Sequence, residues 1–184
     1  MKLCVLFPGI GYHCQKPLLK LSAQTAKSCG YEVVIQKYTD FPDGAKGNEE
    51  KMRAAAAHAL SQSEEQLADI DFAKYESIVL VEKSIGTAAC LAYRGKLGIK
   101  AKCVLLTPLE MTLEHPLHDS IAFHGTADPW AATERIEQLC AENGVPLFEY
   151  KNANHSLVTG DTHENEIILE DVTAKLTEFF KDTL

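Results

Sequence analysis

The chain lacks both a surplus of basic residues and a long apolar run. Lys and Arg number 18 against 26 Asp and Glu, which gives a formal net charge of −8 and an isoelectric point near 5.3. Nucleic-acid and anionic membrane surfaces are bound by clustered Lys and Arg, so neither is an expected partner. The first apolar run, Leu3 to Phe7, stops at Pro8-Gly9. This run is too short for a signal-peptide core or a membrane span, and we expect a cytoplasmic protein.

Cysteine occurs six times but not in the arrangement of a disulfide framework. The sequence contains no Cys-x-x-Cys pair, and Cys4, Cys90 and Cys103 fall inside apolar segments. A reduced thiol in such a segment packs as a small hydrophobic group. We therefore expect reduced cysteines, in keeping with a cytoplasmic location.

Six apolar runs alternate with helical stretches along the 184 residues, and neither a linker nor a repeat divides them. Most runs are near-continuous, which is typical of parallel strands covered on both faces. The fold predicted is a single-domain, doubly wound α/β sandwich with a mostly parallel six-stranded sheet. Strands are predicted at 2–7, 31–37, 77–81, 101–106, 120–123 and 146–150, and helices at 17–28, 49–67, 84–96, 130–142 and 164–181. In the last helix, Ile168, Val172, Leu176 and Phe179 form the predicted sheet-facing stripe.

Four loops that follow predicted strands carry the residues of chemical interest. The turn 8–11 follows the first strand, Ser84 the third, Asp128 the fifth and His155 the sixth. Ligands of doubly wound sheets bind outside the carboxyl ends of the strands. We therefore expect these four loops to converge on one edge of the sheet.

Each of the three side chains has a simpler interpretation when it is taken alone. Ser84 can be the N-cap of the following helix, Asp128 a helix cap before Pro-Trp, and His155 a loop histidine. Together they are the three groups that nucleophilic catalysis requires. A hydroxyl attacks, an imidazole takes its proton, and a carboxylate fixes the tautomer of the imidazole. The joint pattern favours a catalytic triad.

The sequence resembles the α/β-hydrolase superfamily, in particular its small lidless bacterial members of the dienelactone-hydrolase-like or esterase-like kind. The segments that carry the resemblance are 7–11, 83–87, 125–129 and 154–157. The chain order of nucleophile, acid and base is also that of the superfamily. The resemblance implies Ser84 as nucleophile, His155 as general base and then acid, and Asp128 as the orienting carboxylate. It implies neither a cofactor nor a metal.

The resemblance also implies an oxyanion hole made of two backbone N–H groups. One belongs to Ile85, directly after the nucleophile. The other comes from the loop after the first strand, where Ile10 is the matching donor and Gly11 a second candidate. Such donors stabilise the negative charge that develops on the carbonyl oxygen in the transition state.

One position departs from the pattern of the family. The usual Gly-x-Ser-x-Gly becomes Glu82-Lys83-Ser84-Ile85-Gly86, so a glutamate replaces the first glycine. A carboxylate there has to point to solvent or meet a cationic partner, either Lys83 or another nearby base.

Two other residues are candidates for a place in the site. Glu110, just past the fourth strand, is an alternative acid partner for His155. His13 lies near the first loop and can either contact substrate or remain exposed, of which exposure is favoured. The turn 8–11 is too short for a dinucleotide fingerprint.

A metal site is not expected from the remaining histidines. His115 and His118 are separated by Pro-Leu, and His163 precedes Glu164. Neither group has a third ligand at a recognisable spacing, so solvated loops are the better interpretation.

The function predicted is a serine hydrolase that cleaves small carboxylic esters or thioesters through an acyl-enzyme. Segment 107–119, where larger relatives insert a lid, is short, and loop 38–46 is expected to border the pocket. An open site of this kind suits small-molecule esters. Two alternatives stay open: a binding protein of the same fold with weak or no catalysis, and an acyltransferase or peptidase that uses the same triad.

Overall fold

The computed structural model describes residues 1–45, 48–115 and 117–182 and has the predicted doubly wound architecture. Six strands form one sheet in the order β2-β1-β3-β4-β5-β6, and each neighbouring pair is parallel. The strands are β1 (Lys2–Phe7), β2 (Tyr31–Ile35), β3 (Ser77–Lys83), β4 (Lys102–Leu106), β5 (Ser120–Gly125) and β6 (Leu147–Tyr150). The helices are α1 (Pro17–Ser28), α2 (Glu49–Gln66), α3 (Ile85–Leu97), α4 (Thr133–Glu142) and α5 (Thr162–Lys181). Short 3₁₀ helices, which were not predicted, span Phe72–Lys74 and Glu110–Glu114.

The two faces of the sheet carry separate apolar cores. Helices α1 and α5 cover one face, while α3 and α4 pack on the other. Side chains alternate between the faces along β3, so Val79 and Val81 belong to the first core and Leu80 to the second. The same alternation sends Glu82 towards α3 and Lys83 towards the α1 face.

The central strand β3 is two residues longer than predicted. Its last residues are charged, and the apolar pattern therefore ended at position 81. In the sheet, β3 lies between β1 and β4 and pairs with both. Glu82 is opposite Phe7, and Lys83 is opposite Leu106. Pairing on both sides keeps these two polar residues extended and buries them.

The last helix differs from its prediction by one residue of its buried stripe. Ile168, Val172 and Leu176 are buried as expected, but Phe180 completes the stripe instead of Phe179. A spacing of four residues is kept throughout, which follows from the 3.6-residue period of the helix. Phe179 is half-buried beneath the Lys102 ammonium, which lies 4.0 Å from the centre of its ring.

The strand order places a crevice at the carboxyl ends of β1 and β3. The chain leaves β1 for β2 on one side and then returns to β3 on the other side of β1. Loops that leave neighbouring strands in opposite directions open a cleft at such a switch point. The turn 8–11 after β1 and Ser84 after β3 border this cleft.

The part of the chain that the structure describes contains no helix with the length and apolar character needed to cross a membrane. The cytoplasmic location stays a prediction.

Candidate functional site

Ser84 lies on a strained turn between β3 and α3. Its backbone has φ 55° and ψ −121°, a conformation that residues with a side chain rarely adopt. The Ser84 N–H donates to the carbonyl of Leu106 at 3.1 Å, and the Ser84 carbonyl accepts from Thr87 N–H at 2.9 Å. The Ser84 side chain makes no capping hydrogen bond to the helix. The N-cap interpretation therefore does not account for this serine, whose hydroxyl borders a cavity instead.

Gly86 allows this turn to pack directly against the loop after β1. A Cβ at this position would lie 2.5 Å from each of the carbonyl oxygens of Phe7 and Pro8. Only glycine fits between these backbone groups without a shift of one segment. The glycine of the sequence pattern is thus explained by the close approach of α3 to β1.

We predict that Gly86→Ala lowers both stability and activity. The clash with Phe7 and Pro8 should reduce the free energy of unfolding by about 1–3 kcal/mol. A displacement of Ser84 by about 1 Å would lower the turnover of a model ester by roughly 100-fold. Urea unfolding and steady-state kinetics measure the two effects.

Gly95→Ala is the matched control, because Gly95 lies exposed in the same helix with open space at its Cβ position. The free energy of unfolding of this variant should be about 0.5–1 kcal/mol higher than that of the wild type. Equal effects of the two variants would contradict the packing role of Gly86.

The structure brings His155 and Asp128 into direct contact. His155 Nδ1 lies 2.6 Å from Asp128 Oδ2, and the Asp128 side chain is fully buried. The other carboxylate oxygen, Oδ1, accepts from Trp130 N–H at 2.9 Å. This second bond holds segment 128–130 in a turn. Helix α4 therefore begins at Thr133, whereas the predicted helix began at Trp130.

The loops that carry Asp128 and His155 are fastened to each other by their backbones. Ala127 N–H donates to the Ala153 carbonyl at 2.9 Å. A Cβ on Gly125 would lie 2.3 Å from that same oxygen, so the end of β5 must be glycine for the loops to meet. Within the His155 loop, Asn154 Oδ1 accepts from Ser156 N–H at 2.8 Å. Hydrogen bonds of residues 153, 154 and 156 therefore fix the backbone of the loop on both sides of His155.

One proposed oxyanion donor, Ile85, directly follows Ser84, and the other, Ile10, lies in the loop after β1. Ile85 is the first residue of α3, and its N–H belongs to the helix N-terminus, where intrahelical acceptors are missing. Gly9 and Tyr12 are bridged by N–H···O bonds of 3.2 and 3.1 Å, with Ile10 and Gly11 at the tip of the turn. Their role as an oxyanion hole stays a prediction.

Ser84 and His155 line one cavity of about 460 Å³ at the carboxyl edge of the sheet. This volume is in the range of small-molecule sites. Ile10, Gly11 and Trp130 also line it, so loops after β1, β3, β5 and β6 converge there as predicted. The Trp130 ring stands edge-on to the His155 ring, with 6.4 Å between their centres.

Sequence reasoning missed two site residues, Thr107 and Tyr12, and missed the place of Lys83. Lys83 Nζ donates to Thr107 Oγ1 at 2.5 Å and lies 4.9 Å from the centre of the Tyr12 ring. Thr107 Oγ1 donates in turn to the His155 carbonyl at 3.1 Å. Lys83 ends β3, Thr107 directly follows β4, and Tyr12 lies in the loop after β1, so all three lie at the shared edge. That position is the signal by which the sequence could have indicated them.

Glu82 is fully buried and does not point to solvent. Neither of its carboxylate oxygens makes a hydrogen bond of ordinary geometry, although the thiols of Cys90 and Cys103 and the guanidinium of Arg94 are near. Burial raises the pKa of Glu82 to about 8, and those three neighbours oppose the rise. The cationic neighbour is therefore Arg94, on α3, and not Lys83, which points to the opposite face of the sheet.

We predict that the wild type loses stability between about pH 5 and pH 8 as Glu82 ionises, and that the Glu82→Gln variant does not show this loss. The unfolded chain ionises Glu82 near its ordinary pKa of 4.5, whereas the folded chain does so only near 8. A pKa raised by folding means that the folded state is favoured at low pH and loses this advantage as the pH rises. Across this range, the free energy of unfolding of the wild type should fall by about 1–4 kcal/mol more than that of the variant. Urea unfolding at each pH measures the difference.

Glu50→Gln, on an exposed position of α2, is the control and should follow the profile of the wild type. Parallel profiles for wild type and Glu82→Gln would show that Glu82 does not titrate in this way.

The structure does not bring Glu110 to His155. Glu110 opens the 3₁₀ helix Glu110–Glu114, and its carboxylate lies 4.0 Å from Arg135. The alternative acid partner is therefore wrong, since Asp128 occupies that position. His13 is exposed, as favoured, and its Nδ1 accepts from Gln15 N–H at 3.3 Å.

His115, His118 and His163 do not line the cavity. His118 is exposed, and His163 is exposed in the first turn of α5 beside Glu166. Burial lowers the pKa of His115. Pro116, between the first pair, lies outside the described residues. Among the residues described, no group of three His, Cys, Asp or Glu side chains is placed to hold a metal ion.

Loop 38–45 packs beneath the first loop of the site. Phe41 contacts the small apolar cluster that includes Ala45, Ile85 and Leu109, against which Ile10 also packs. The loop therefore supports the cavity wall from behind. Lys46, the last residue of the predicted loop, lies outside the described residues.

Comparison by sequence matches the chain to no protein-family model and to no curated protein. Comparison by structure finds many neighbours. A serine hydrolase without a lid from Xanthomonas campestris is 13% identical, with a TM-score of 0.59 over 97% of this chain and 80% of that one. An esterase from Pyrococcus furiosus is also 13% identical, with a TM-score of 0.66 over 98% and 82%. Est1E from Butyrivibrio proteoclasticus, solved with ferulic acid, is 13% identical, with a TM-score of 0.66 over 99% and 90%.

These neighbours identify the architecture. The chain has the α/β-hydrolase fold. The resemblance stated from the sequence motifs is confirmed at the level of the fold.

Proposed function

We propose that the protein is a serine hydrolase that cleaves small carboxylic esters or thioesters through an acyl-enzyme. The observation that carries the proposal is the 2.6 Å contact between His155 Nδ1 and Asp128 Oδ2, in a cavity that Ser84 also lines. Burial of the Asp128 side chain keeps water from competing for this contact. A serine on a strained strand-to-helix turn is the second support, since this turn exposes the hydroxyl above the sheet.

In the acylation step, Ser84 Oγ attacks the carbonyl carbon of the ester while His155 Nε2 accepts the hydroxyl proton. Asp128 holds the proton on Nδ1 and stabilises the imidazolium that forms. The negative charge on the carbonyl oxygen is met by the N–H groups of Ile85 and Ile10. The tetrahedral intermediate then collapses, the bond to the alcohol breaks, and the leaving oxygen takes the proton from His155.

In the deacylation step, water replaces the alcohol. His155 accepts a proton from the water, whose oxygen attacks the acyl carbon. The bond to Ser84 Oγ breaks, and the proton returns from His155 to the serine. The net reaction consumes one water and yields one carboxylic acid and one alcohol. A thioester yields a thiol in place of the alcohol.

The size of the cavity favours small substrates. Its volume of about 460 Å³ holds a small molecule, and the short segment after β4 contributes only the 3₁₀ helix Glu110–Glu114 among its described residues. Met52, Leu109 and Trp130 give the walls an apolar character, which suits an acyl or alcohol group of modest length.

A panel of matched substrates tests the proposal. Purified protein is assayed with 4-nitrophenyl acetate and butyrate, the thioester S-phenyl thioacetate and the amide 4-nitroacetanilide. We expect turnover of esters and thioester that exceeds turnover of the amide by a wide margin. Preference for the amide would indicate a peptidase. No turnover of any substrate by folded protein would support the alternative of a ligand-binding protein with this fold.

A further inference from the structure

Thr107, directly after β4, is a fully buried residue in a strained backbone conformation. Its φ is 46°, in the left-handed region that residues branched at Cβ rarely adopt. Its N–H donates to the Phe123 carbonyl at 2.8 Å, which ties this residue to β5. Strain of this kind persists only where the surrounding structure fixes it, and strained residues cluster at functional sites. The conformation of Thr107 therefore indicates a use for its side chain.

The Thr107 hydroxyl joins the loop that carries His155 to the central strand β3. Its Oγ1 accepts from Lys83 Nζ at 2.5 Å and donates to the His155 carbonyl at 3.1 Å. An ammonium can only donate and a carbonyl can only accept, so the direction of both hydrogen bonds is fixed. Because Lys83 occupies one lone pair of the hydroxyl, the single hydroxyl proton is directed at the His155 carbonyl.

The end of β4 holds the serine as well as the histidine. The Leu106 carbonyl accepts from the Ser84 N–H at 3.1 Å. Leu106 and Thr107 are consecutive, so one short backbone segment contacts both Ser84 and His155. The contact between His155 and Asp128, in contrast, comes from the loop after β5. The Thr107 hydroxyl therefore bears on the distance between the Ser84 hydroxyl and the imidazole.

We propose that Thr107 is a positioning residue, which holds His155 at the distance from Ser84 that proton transfer requires. This inference rests on the proposed function and adds a residue to its machinery. Thr107 does not line the cavity, so it acts through His155 and not through contact with substrate. The serine proton is transferred only over hydrogen-bond distance, and a misplacement of about 1 Å lowers the rate by roughly 100-fold.

Three substitutions separate the hydroxyl of Thr107 from its shape and from its backbone strain. Thr107→Val keeps the branched shape, Thr107→Ser keeps the hydroxyl, and Thr107→Gly removes the side chain and relieves the positive φ. With 4-nitrophenyl acetate, we expect kcat to fall about 10–100-fold in the valine and glycine variants. In the serine variant kcat should stay within about threefold of the wild type, and KM should do so in all three.

Thr25→Val is the matched control. Thr25 is buried in α1, and its hydroxyl donates to the Leu21 carbonyl at 3.0 Å. The control therefore also removes a buried threonine hydroxyl that is bonded to a backbone carbonyl, but at a position that does not line the cavity. It should keep the kcat of the wild type. Equal losses of kcat in Thr107→Ser and Thr107→Val would show that the hydroxyl is not the group that matters.

A double-substitution cycle tests whether Thr107 acts through the imidazole. His155→Ala removes the ring but keeps the backbone carbonyl to which Thr107 donates. Effects of residues that act as a unit are not additive. We therefore expect Thr107→Val to lower the residual kcat of His155→Ala by less than about threefold, although it lowers that of the wild type by about 10–100-fold. The same large loss in both backgrounds would mean that Thr107 supports the site in another way, and the proposal would be wrong.

Circular dichroism establishes the fold of each variant before its kinetics are compared. Thr107→Gly covers the case in which Thr107→Val does not fold, because glycine adopts a positive φ without strain. Normal kcat in the folded variants that lack the hydroxyl, beside inactive Ser84→Ala protein, would overturn the positioning role and leave the hydrolase intact. Normal kcat in Ser84→Ala itself would instead overturn the proposed function.

Discussion

Replacing Ser84 with alanine is expected to lower kcat for small esters by at least roughly 10³-fold, because the attacking oxygen is removed. The Ser84 side chain makes no capping hydrogen bond and borders a cavity, so its loss should change the free energy of unfolding by less than about 1 kcal/mol. Steady-state kinetics and urea unfolding of the same preparation separate the two effects.

The control for this experiment is Ser61→Ala, at an exposed position of α2 distant from the cavity. It should retain the turnover and the stability of the wild type. Near-normal hydrolysis by folded Ser84→Ala protein would remove Ser84 from the mechanism and leave the strained turn without a catalytic explanation.

Replacing Asp128 with asparagine is expected to lower kcat by roughly 10³–10⁴-fold near neutral pH. An amide at this position can donate to His155 Nδ1, and the proton of the neutral imidazole then lies on Nε2. A protonated Nε2 cannot accept the hydroxyl proton of Ser84. The amide oxygen can still accept from Trp130 N–H, as Oδ1 does at 2.9 Å, so the turn before α4 should persist. Kinetics across pH, with circular dichroism as a test of the fold, measure the loss.

Glu110→Gln discriminates between the two carboxylates that the sequence offered as partners of His155. Glu110 is exposed and lies beside Arg135, so its neutralisation should change turnover by less than about threefold. A large loss in Glu110→Gln combined with a small one in Asp128→Asn would exchange their roles and contradict the geometry.

The fold and the three central residues could be predicted because both depend on short-range patterns. Near-continuous apolar runs indicated parallel strands, and Ser84, Asp128 and His155 each followed such a run. Parallel strands in one sheet share a carboxyl edge, so their loops had to converge. The glycines also carried information, since Gly86 and Gly125 stand where two backbones approach most closely.

The surroundings of Ser84 could not be predicted because they depend on strand register and on which face each residue takes. Lys83 meets Thr107 only because β3 and β4 pair with Lys83 opposite Leu106. The burial of Glu82 follows from its place in a central strand, whereas its charge indicated a strand end. The sequence alone specifies neither the pairing register of neighbouring strands nor the burial of a charged side chain.

The most direct test of the central claim is the site of reaction with a fluorophosphonate, which forms a bond with an activated serine. Intact mass and peptide mapping after labelling locate the adduct. We predict one adduct, on Ser84, that is absent from Ser84→Ala and forms much more slowly in Asp128→Asn. An adduct on another residue, or none at any pH in folded protein, would contradict it.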